Sequence, residues 1–183
     1  MNRLEYIDWL QAKKLQIKGN IVDKKIYLAQ GSGIPQENSQ FHCFCMQELE
    51  YVAFCDDFGP MNASTIINFV QILQTELIRF PKHDIVYCAE PGRRNLTNAS
   101  FLLGSYLILV FNDSPSSVWD QGFSDLNPET YELFRDATFS DSTFGLSLLD
   151  CWHGLARAKS LGWIEKPTKP GLWGKNMNIM RIL

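Results

Sequence analysis

The sequence lacks both a long apolar run and an excess of basic residues. Its most apolar stretch, residues 101–111, is interrupted by Gly104 and Ser105 and ends at Asn112, whereas a membrane-spanning helix needs about 20 apolar residues. The net charge is -3, which provides no general attraction for nucleic acid or an anionic membrane. We therefore expect neither nucleic acid nor membrane as a partner.

Cysteines are few and follow no disulfide or metal pattern. The count of five is odd, no signal peptide precedes them, and no pair has metal-type spacing. This usage favours a reducing cytoplasm, without a metal or other cofactor. Cys43 and Cys45 stand two apart on a predicted strand, so they should face the same side.

The remaining composition is that of an ordinary globular domain. The chain has 183 residues, of which 45% are hydrophobic and 20% charged, so one domain with a sizeable core is expected. We predict three segments: a helical extension over residues 1–20 with its helix at 3–18, a domain over 21–164, and an apolar tail over 165–183.

The pattern of apolar residues predicts an α/β fold. Short strands are predicted at 26–28, 41–46, 51–54 and 84–87, and helices at 62–79, 96–110, 114–119 and 146–161. Because strand, helix, strand and helix alternate around the strand at 84–87, we expect a mostly parallel central sheet of about four to five strands. That strand should be internal, with helices on both faces of the sheet.

The stretch from Tyr87 to Ala99 carries the one catalytic pattern. Cys88 and Arg94 are six apart, in the predicted turn between a strand and a helix. Cysteine phosphatases use this spacing because a thiolate attacks phosphorus while loop N–H groups and an arginine hold the phosphoryl oxygens. The spacing alone is a weak signal, and a small buried strand-end residue is the simpler interpretation of Cys88.

The residues inside this loop oppose phosphate binding. Glu90 places a carboxylate where a dianion would bind, and Pro91 removes an N–H donor. Asn95 stands where a Ser or Thr hydroxyl would assist the leaving thiolate. We therefore expect no catalytic residues, with Cys88 and Arg94 as vestigial candidates.

Several separate motifs together resemble one known family. The motifs are IYLAQ, DFGPMN at 57–62, NASFLLGSY at 98–106, FRDATF at 134–139 and LSLLDCWHGLARA at 146–158. In this order they are similar to the N-terminal half of the cell-division-cycle-fourteen dual-specificity phosphatases, over about Ile26 to Ile164. The resemblance implies a phosphatase-like fold without a working cysteine loop, packed in that family against a catalytic half. No second half follows Leu183, so we expect an isolated pseudophosphatase-like domain.

The resemblance also gives the aspartates a candidate role. Asp56 or Asp57 falls on the loop that supplies the general acid in active relatives, although a turn leading into a helix is the simpler interpretation. Arg93 and Arg94 could instead bind an acidic peptide or pair with Glu90.

The tail is too apolar for a free chain end and predicts docking. Its Pro and Gly residues oppose a long helix, so its large side chains must be buried against the domain or a partner. The candidate docking residues are Leu172, Trp173, Met177, Ile179, Met180 and Ile182.

Three functions remain open at this point. The leading hypothesis is a non-catalytic interaction module that binds other proteins, for example in a cytoskeletal or ciliary assembly. The second is a weak cysteine-dependent tyrosine or dual-specificity phosphatase using Cys88 and Arg94. The third is a substrate-groove subunit that pairs in trans with a catalytic phosphatase.

Overall fold

A computed structural model describes residues 14–16, 25–30, 40–46, 51–124 and 130–164. Its main sheet contains β1 (Lys14–Gln16), β2 (Lys25–Gln30), β3 (Phe41–Cys45) and β4 (Asp84–Ala89), in the order β1-β2-β4-β3. Strand β4 is parallel to both β2 and β3, whereas β1 is antiparallel to β2. The prediction of a mostly parallel sheet of about four to five strands, with an internal strand at 84–87, is therefore confirmed.

Four helices and a small second sheet complete the described residues. The helices are α1 (Ala63–Arg79), α2 (Arg93–Tyr106), α3 (Pro115–Gly122) and α4 (Leu148–Ser160). Helix α2 continues as a π-helical segment, Leu107–Phe111. Strands β5 (Phe134–Arg135) and β6 (Gly145–Leu146) pair antiparallel.

Side-chain caps explain where three of the helices begin. The side chains of Asn62 and Ser114 accept hydrogen bonds from Thr65 N and Ser117 N, and Ser147 forms a reciprocal capping box with Asp150. Such caps satisfy backbone donors that have no partner within the helix. Helix α2 begins instead at Gly92, without a side-chain cap.

The core lies on one face of the main sheet. Ile85 and Tyr87 of β4 point into a cluster to which all four helices contribute, including Leu73, Leu102 and Trp152. The opposite face carries a smaller cluster of strand residues, Ala29, Phe41, Val86 and Cys88. The prediction of helices on both faces is therefore wrong for the described residues, in which the helices contribute to one face only.

Two predicted elements differ from the structure. Residues 14–16 form strand β1 where the sequence predicted a helix over 3–18, because these residues pair with β2; the rest of that predicted helix lies outside the described residues. Residues 51–54 form no strand but a loop, held by side-chain hydrogen bonds given below. The tail, with all its candidate docking residues, also lies outside the described residues.

None of the helices in the described ranges combines the length and the hydropathy needed to cross a membrane.

Candidate functional site: the Cys88 loop and the Asp56 network

The loop after β4 is shorter than the sequence predicted. Strand β4 runs through Ala89 and helix α2 starts at Arg93, so the turn is three residues, Glu90 to Gly92, rather than Cys88 to Arg94. The backbone angle φ of Gly92 is 119°, a value that residues other than glycine rarely adopt. Glycine therefore permits the abrupt change from strand to helix.

The carbonyl groups of this turn are held by side-chain amides. Gln30 Nε2 donates to Glu90 O at 2.7 Å and to Gly92 O at 2.6 Å. Asn95 Nδ2 donates to Pro91 O at 2.9 Å. A phosphate-binding loop presents converging N–H groups to its ligand, whereas here two side chains fix the turn through its oxygen atoms.

Cys88 lies within the sheet rather than in an open loop. It is 5% exposed and is paired in register with Cys45, on the face that also carries Cys43. A side-chain hydrogen bond with Cys43, together with burial, raises the pKa of the Cys88 thiol well above its ordinary value. Because the thiolate is the nucleophilic form, this shift favours the neutral, less nucleophilic form of Cys88 near pH 7.

A cavity of about 500 Å³ opens between this strand end and helix α2. Its lining includes Cys88 and the following six residues: Met46, Tyr87, Glu90, Asn95, Asn98 and Leu102. Glu90 is the charged member of the lining, and neither Arg93 nor Arg94 contributes to it. The cavity therefore presents a negative charge to a phosphate dianion, which opposes binding.

Arg94 is directed to a different set of partners. Its Nη2 donates to Asp56 Oδ1 at 2.9 Å and its Nε donates to Glu132 Oε1 at 2.6 Å. The guanidinium carbon lies 5.3 Å from the ring centre of Phe58. The hydrogen bond to Glu132, then that to Asp56, raises the pKa of Arg94. No ion pair links either arginine to Glu90 within the ranges that the structure describes, so that expectation is wrong.

Asp56 is shared between two arginines. Its second oxygen accepts from Arg135 Nη1 at 2.7 Å, and Arg135 Nη2 donates to Ser140 O at 3.1 Å. We call Arg94, Asp56, Glu132 and Arg135 the Asp56 network. It ties helix α2 to the segment before β5 and to the loop at 51–57.

Asp57 holds the turn in which it lies. Its carboxylate accepts from Phe54 N at 2.7 Å, from Cys55 N at 2.8 Å and from the Tyr51 hydroxyl at 2.5 Å. The Cys55 N–H, followed by the Tyr51 hydroxyl, lowers the pKa of Asp57 to about 2. A general acid must carry a proton at working pH, and this carboxyl group is ionised there.

Three residues that complete these sites were not among the sequence predictions. Tyr51, Glu132 and Arg135 hold the two aspartates and Arg94. Arg135 stands inside the quoted FRDATF motif, which is the one signal that could have drawn attention to it. Its pairing with Asp56 spans 79 positions, and no local pattern predicts such a contact.

Comparison of the sequence with protein families gives a match over most of the chain. The family described as dual specificity protein phosphatase, N-terminal half, matches residues 20–158. The chain belongs to this family. The match covers strands β2 to β6, helices α1 to α3 and most of α4, so the predicted family and fold class are confirmed.

Similar proteins include several named phosphatases. The dual specificity protein phosphatase CDC14A of Mus musculus is 29% identical over 147 residues, covering 79% of this chain and 24% of the relative. CDC14C of Symphalangus syndactylus is 31% identical over 134 residues, covering 72% and 27%. The tyrosine-protein phosphatase CDC14 of Saccharomyces cerevisiae is 29% identical over 145 residues, covering 77% and 26%. The chain thus spans about a quarter of the length of these relatives.

Proposed function

We propose that this domain is a non-catalytic, protein-interaction member of the phosphatase N-terminal family. The observation that carries the proposal is the separation of Cys88 from Arg94. Cys88 lines the cavity as a buried thiol, whereas Arg94 is absent from its lining and is bound by Asp56 and Glu132.

Cysteine-dependent phosphate transfer needs a thiolate, converging donors for three oxygens and a protonated acid. At this site the thiol has a raised pKa, the turn is fixed by its carbonyl groups, and Asp57 is ionised. Each of the three requirements is opposed by a different local contact. A single substitution would therefore not restore activity.

Enzyme assays test this proposal directly. Purified protein is expected to give no turnover of p-nitrophenyl phosphate or of a phosphotyrosine peptide above the buffer rate. The Cys88→Ser variant should behave identically, and Cys151→Ser is the matched control because Cys151 is a partly buried thiol on α4, distant in sequence. Turnover that Cys88→Ser abolishes and Cys151→Ser preserves would replace this proposal with the weak-phosphatase alternative.

The third function, pairing in trans with a catalytic phosphatase, has support from an exposed apolar surface. Phe54 and Phe139 are 80% and 88% exposed and meet edge to face with ring centres 6.1 Å apart. Val52, two residues before Phe54, is 86% exposed. Large exposed apolar side chains in contact with one another mark interaction surfaces, and the chain spans only part of its relatives.

Binding measurements distinguish this alternative. We expect Phe54→Ser and Phe139→Ser together to leave folding intact, since both side chains are exposed. If pairing occurs, this double variant should lose association with the catalytic half of a related phosphatase in sedimentation velocity. Ile78→Ser is the control because Ile78 is 64% exposed on helix α1, away from the Asp56 network. Equal association of all three proteins would exclude this surface.

A further inference from the structure

A further cavity among the described residues lies beside the Asp56 network, with Arg93 on its lining. It measures about 610 Å³. Its lining includes, besides Glu132, the six residues Arg93, Leu133, Arg135, Ser142, Thr143 and Phe144. It is separate from the Cys88 cavity, since the two have no lining residue in common.

Arg93 differs from the other charged residues of this cavity. Arg135 pairs with Asp56 at 2.7 Å, and Glu132 pairs with Arg94 at 2.6 Å. Arg93 donates from Nη2 to the carbonyl oxygen of Tyr131 at 2.8 Å, and no carboxylate among the described residues pairs with it. A guanidinium has five N–H donors, so Arg93 retains donors for a further acceptor.

The position of Arg93 in its helix is itself unfavourable. It is the first residue of α2, a helix with no acidic residue in its first turn and no side-chain cap. A cation at this end opposes the helix macrodipole. Residues that break a local rule are expected at functional sites, and an anion bound here would complement both the guanidinium and the helix terminus.

Apolar side chains and hydroxyl groups complete the lining. Leu133 and Phe144 are 57% and 65% exposed, so their large side chains face solvent on the rim. Ser142 and Thr143 add hydroxyl groups, of which that of Ser142 donates to Phe144 O at 2.7 Å. This combination suits a peptide with an anionic group next to an apolar side chain.

We propose that this cavity, the Arg93 cavity, binds a protein segment through an oxyanion held by Arg93 and an adjacent apolar side chain held by Leu133 and Phe144. The oxyanion is a carboxylate or a phosphate ester, both of which fit the planar donors of a guanidinium. The proposal rests on the interaction role proposed above and specifies the partner's chemistry. It does not depend on the Cys88 cavity.

Fluorescence anisotropy with the full chain tests the proposal. The probes are three labelled peptides that differ at one position, with phosphoserine, glutamate or glutamine between two leucines. Arg93→Gln is expected to weaken binding of an anionic peptide by about tenfold or more, equivalent to ~1.4 kcal/mol, whereas Arg93→Lys should retain part of the affinity. Lys82→Gln removes an exposed charge at the other end of β4 and should leave affinity unchanged.

The outcomes separate the sources of the oxyanion. Binding of the phosphoserine peptide alone assigns a phosphate ester, and binding of both anionic peptides assigns oxyanions in general. Should all three peptides bind equally, or Arg93→Gln and Lys82→Gln weaken binding equally, the proposal is overturned. If Arg93→Gln fails to fold, Phe144→Ser provides the second variant. It should weaken binding of the two anionic peptides but leave unchanged the binding of a second set of peptides in which serine replaces both leucines.

This test can fail independently of the proposed function. Absence of peptide binding would leave the expected lack of phosphatase turnover untouched. Detection of turnover would equally leave the peptide result in place.

Discussion

At the scale of single residues, the Asp57 carboxylate holds the turn in which it lies. Its two oxygens accept three hydrogen bonds within a stretch of seven residues, and the side chain is 6% exposed. The unfolded chain offers none of these partners, so the folded state favours the ionised form of the Asp57 carboxyl group. The pKa of Asp57 is therefore lowered to about 2. A carboxyl group whose pKa is lowered in the folded state stabilises the fold at pH values above its pKa in the unfolded chain, which is about 3.9.

Replacing Asp57 with Asn should therefore give a pH-dependent loss of stability. We expect Asp57→Asn to be less stable than the parent protein at pH 7, and the difference to shrink as the pH falls from about 4 towards 2. Urea unfolding across this pH range measures it, with Asp136→Asn as the exposed control. A difference independent of pH would show that the carboxylate charge is not what holds the turn.

Cys88 and Cys45 allow a second prediction at the residue scale. Both thiols have raised pKa values. The main cause is the hydrogen bond with Cys43 for Cys88, and partial desolvation of the sulfur for Cys45. As whole residues, however, Cys45 is exposed and Cys88 is buried. Iodoacetamide at pH 8 should therefore alkylate Cys45 first and reach Cys88 only after denaturation. Mass spectrometry of the labelled peptides measures the order. Faster labelling of Cys88 in the native protein would indicate an activated nucleophile.

The contact between α2 and α4 depends on a glycine. A Cβ atom at Gly104 would lie 2.1 Å from Trp152 Cζ2 and 2.3 Å from Cε2, far inside van der Waals contact. Trp152 is fully buried and donates from Nε1 to Phe101 O at 3.0 Å. The indole therefore cannot move away without losing both its packing and its hydrogen bond.

We expect Gly104→Ala to destabilise the domain by about 1–3 kcal/mol or more, the range for overpacked cores. Gly154→Ala in α4 is the matched control, because nothing lies within 4 Å of the added methyl group. That change should stabilise the helix by about 0.5–1 kcal/mol. Chemical denaturation gives both values. If the two variants shift stability in the same direction, the contact with Trp152 is not the determinant.

The elements that local pattern could predict are those with a cap or a buried stripe. The apolar repeat predicts helix α1, for which the structure shows the Asn62 cap, and the continuous apolar run predicts β4. Residues 51–54 have strand composition but form a loop, because Asp57 accepts their backbone N–H groups. Strand β1 was missed because only its pairing with β2 defines it.

The candidate site was predictable in its residues but not in its contacts. The spacing of Cys88 and Arg94 was visible, and so was the unfavourable filling of the loop by Glu90 and Pro91. The destination of Arg94 was not, because Glu132 and Asp56 each lie 38 positions away. Side-chain direction at the start of a helix depends on the packing of distant segments, which periodicity does not encode.

At the scale of the whole molecule, the loop at 51–57 lies where two features of the structure meet. The main core extends from Ile26 to Leu155, and Ile164 packs against it. The Asp56 network and the exposed pair Phe54 and Phe139 adjoin the same loop at 51–57. The loop at 51–57 therefore contributes both to the Asp56 network and to an exposed apolar surface.

The tail at 165–183 leads to the last prediction. Its apolar residues, with Trp173 as the expected anchor, remain candidates for partner docking. Burying a large apolar side chain contributes roughly 1.5 to 3 kcal/mol, against about 1 to 2 kcal/mol per residue for ordering the backbone, so a few anchors offset only part of the cost. We expect a chain ending at Ile164 to unfold cooperatively near the midpoint of the full chain but to lose its native complex.

Two measurements decide the role of the tail. Thermal unfolding compares the full chain with the chain ending at Ile164, and co-purification from native cells compares both with Trp173→Ala in the full chain. If the shortened protein retains the complex as tightly as the full chain, the tail does not dock. If the shortened protein fails to fold, the tail belongs to the core, because its apolar side chains would then be buried by the domain itself. Loss of the complex from a folded protein, reproduced by Trp173→Ala, would assign docking to the tail.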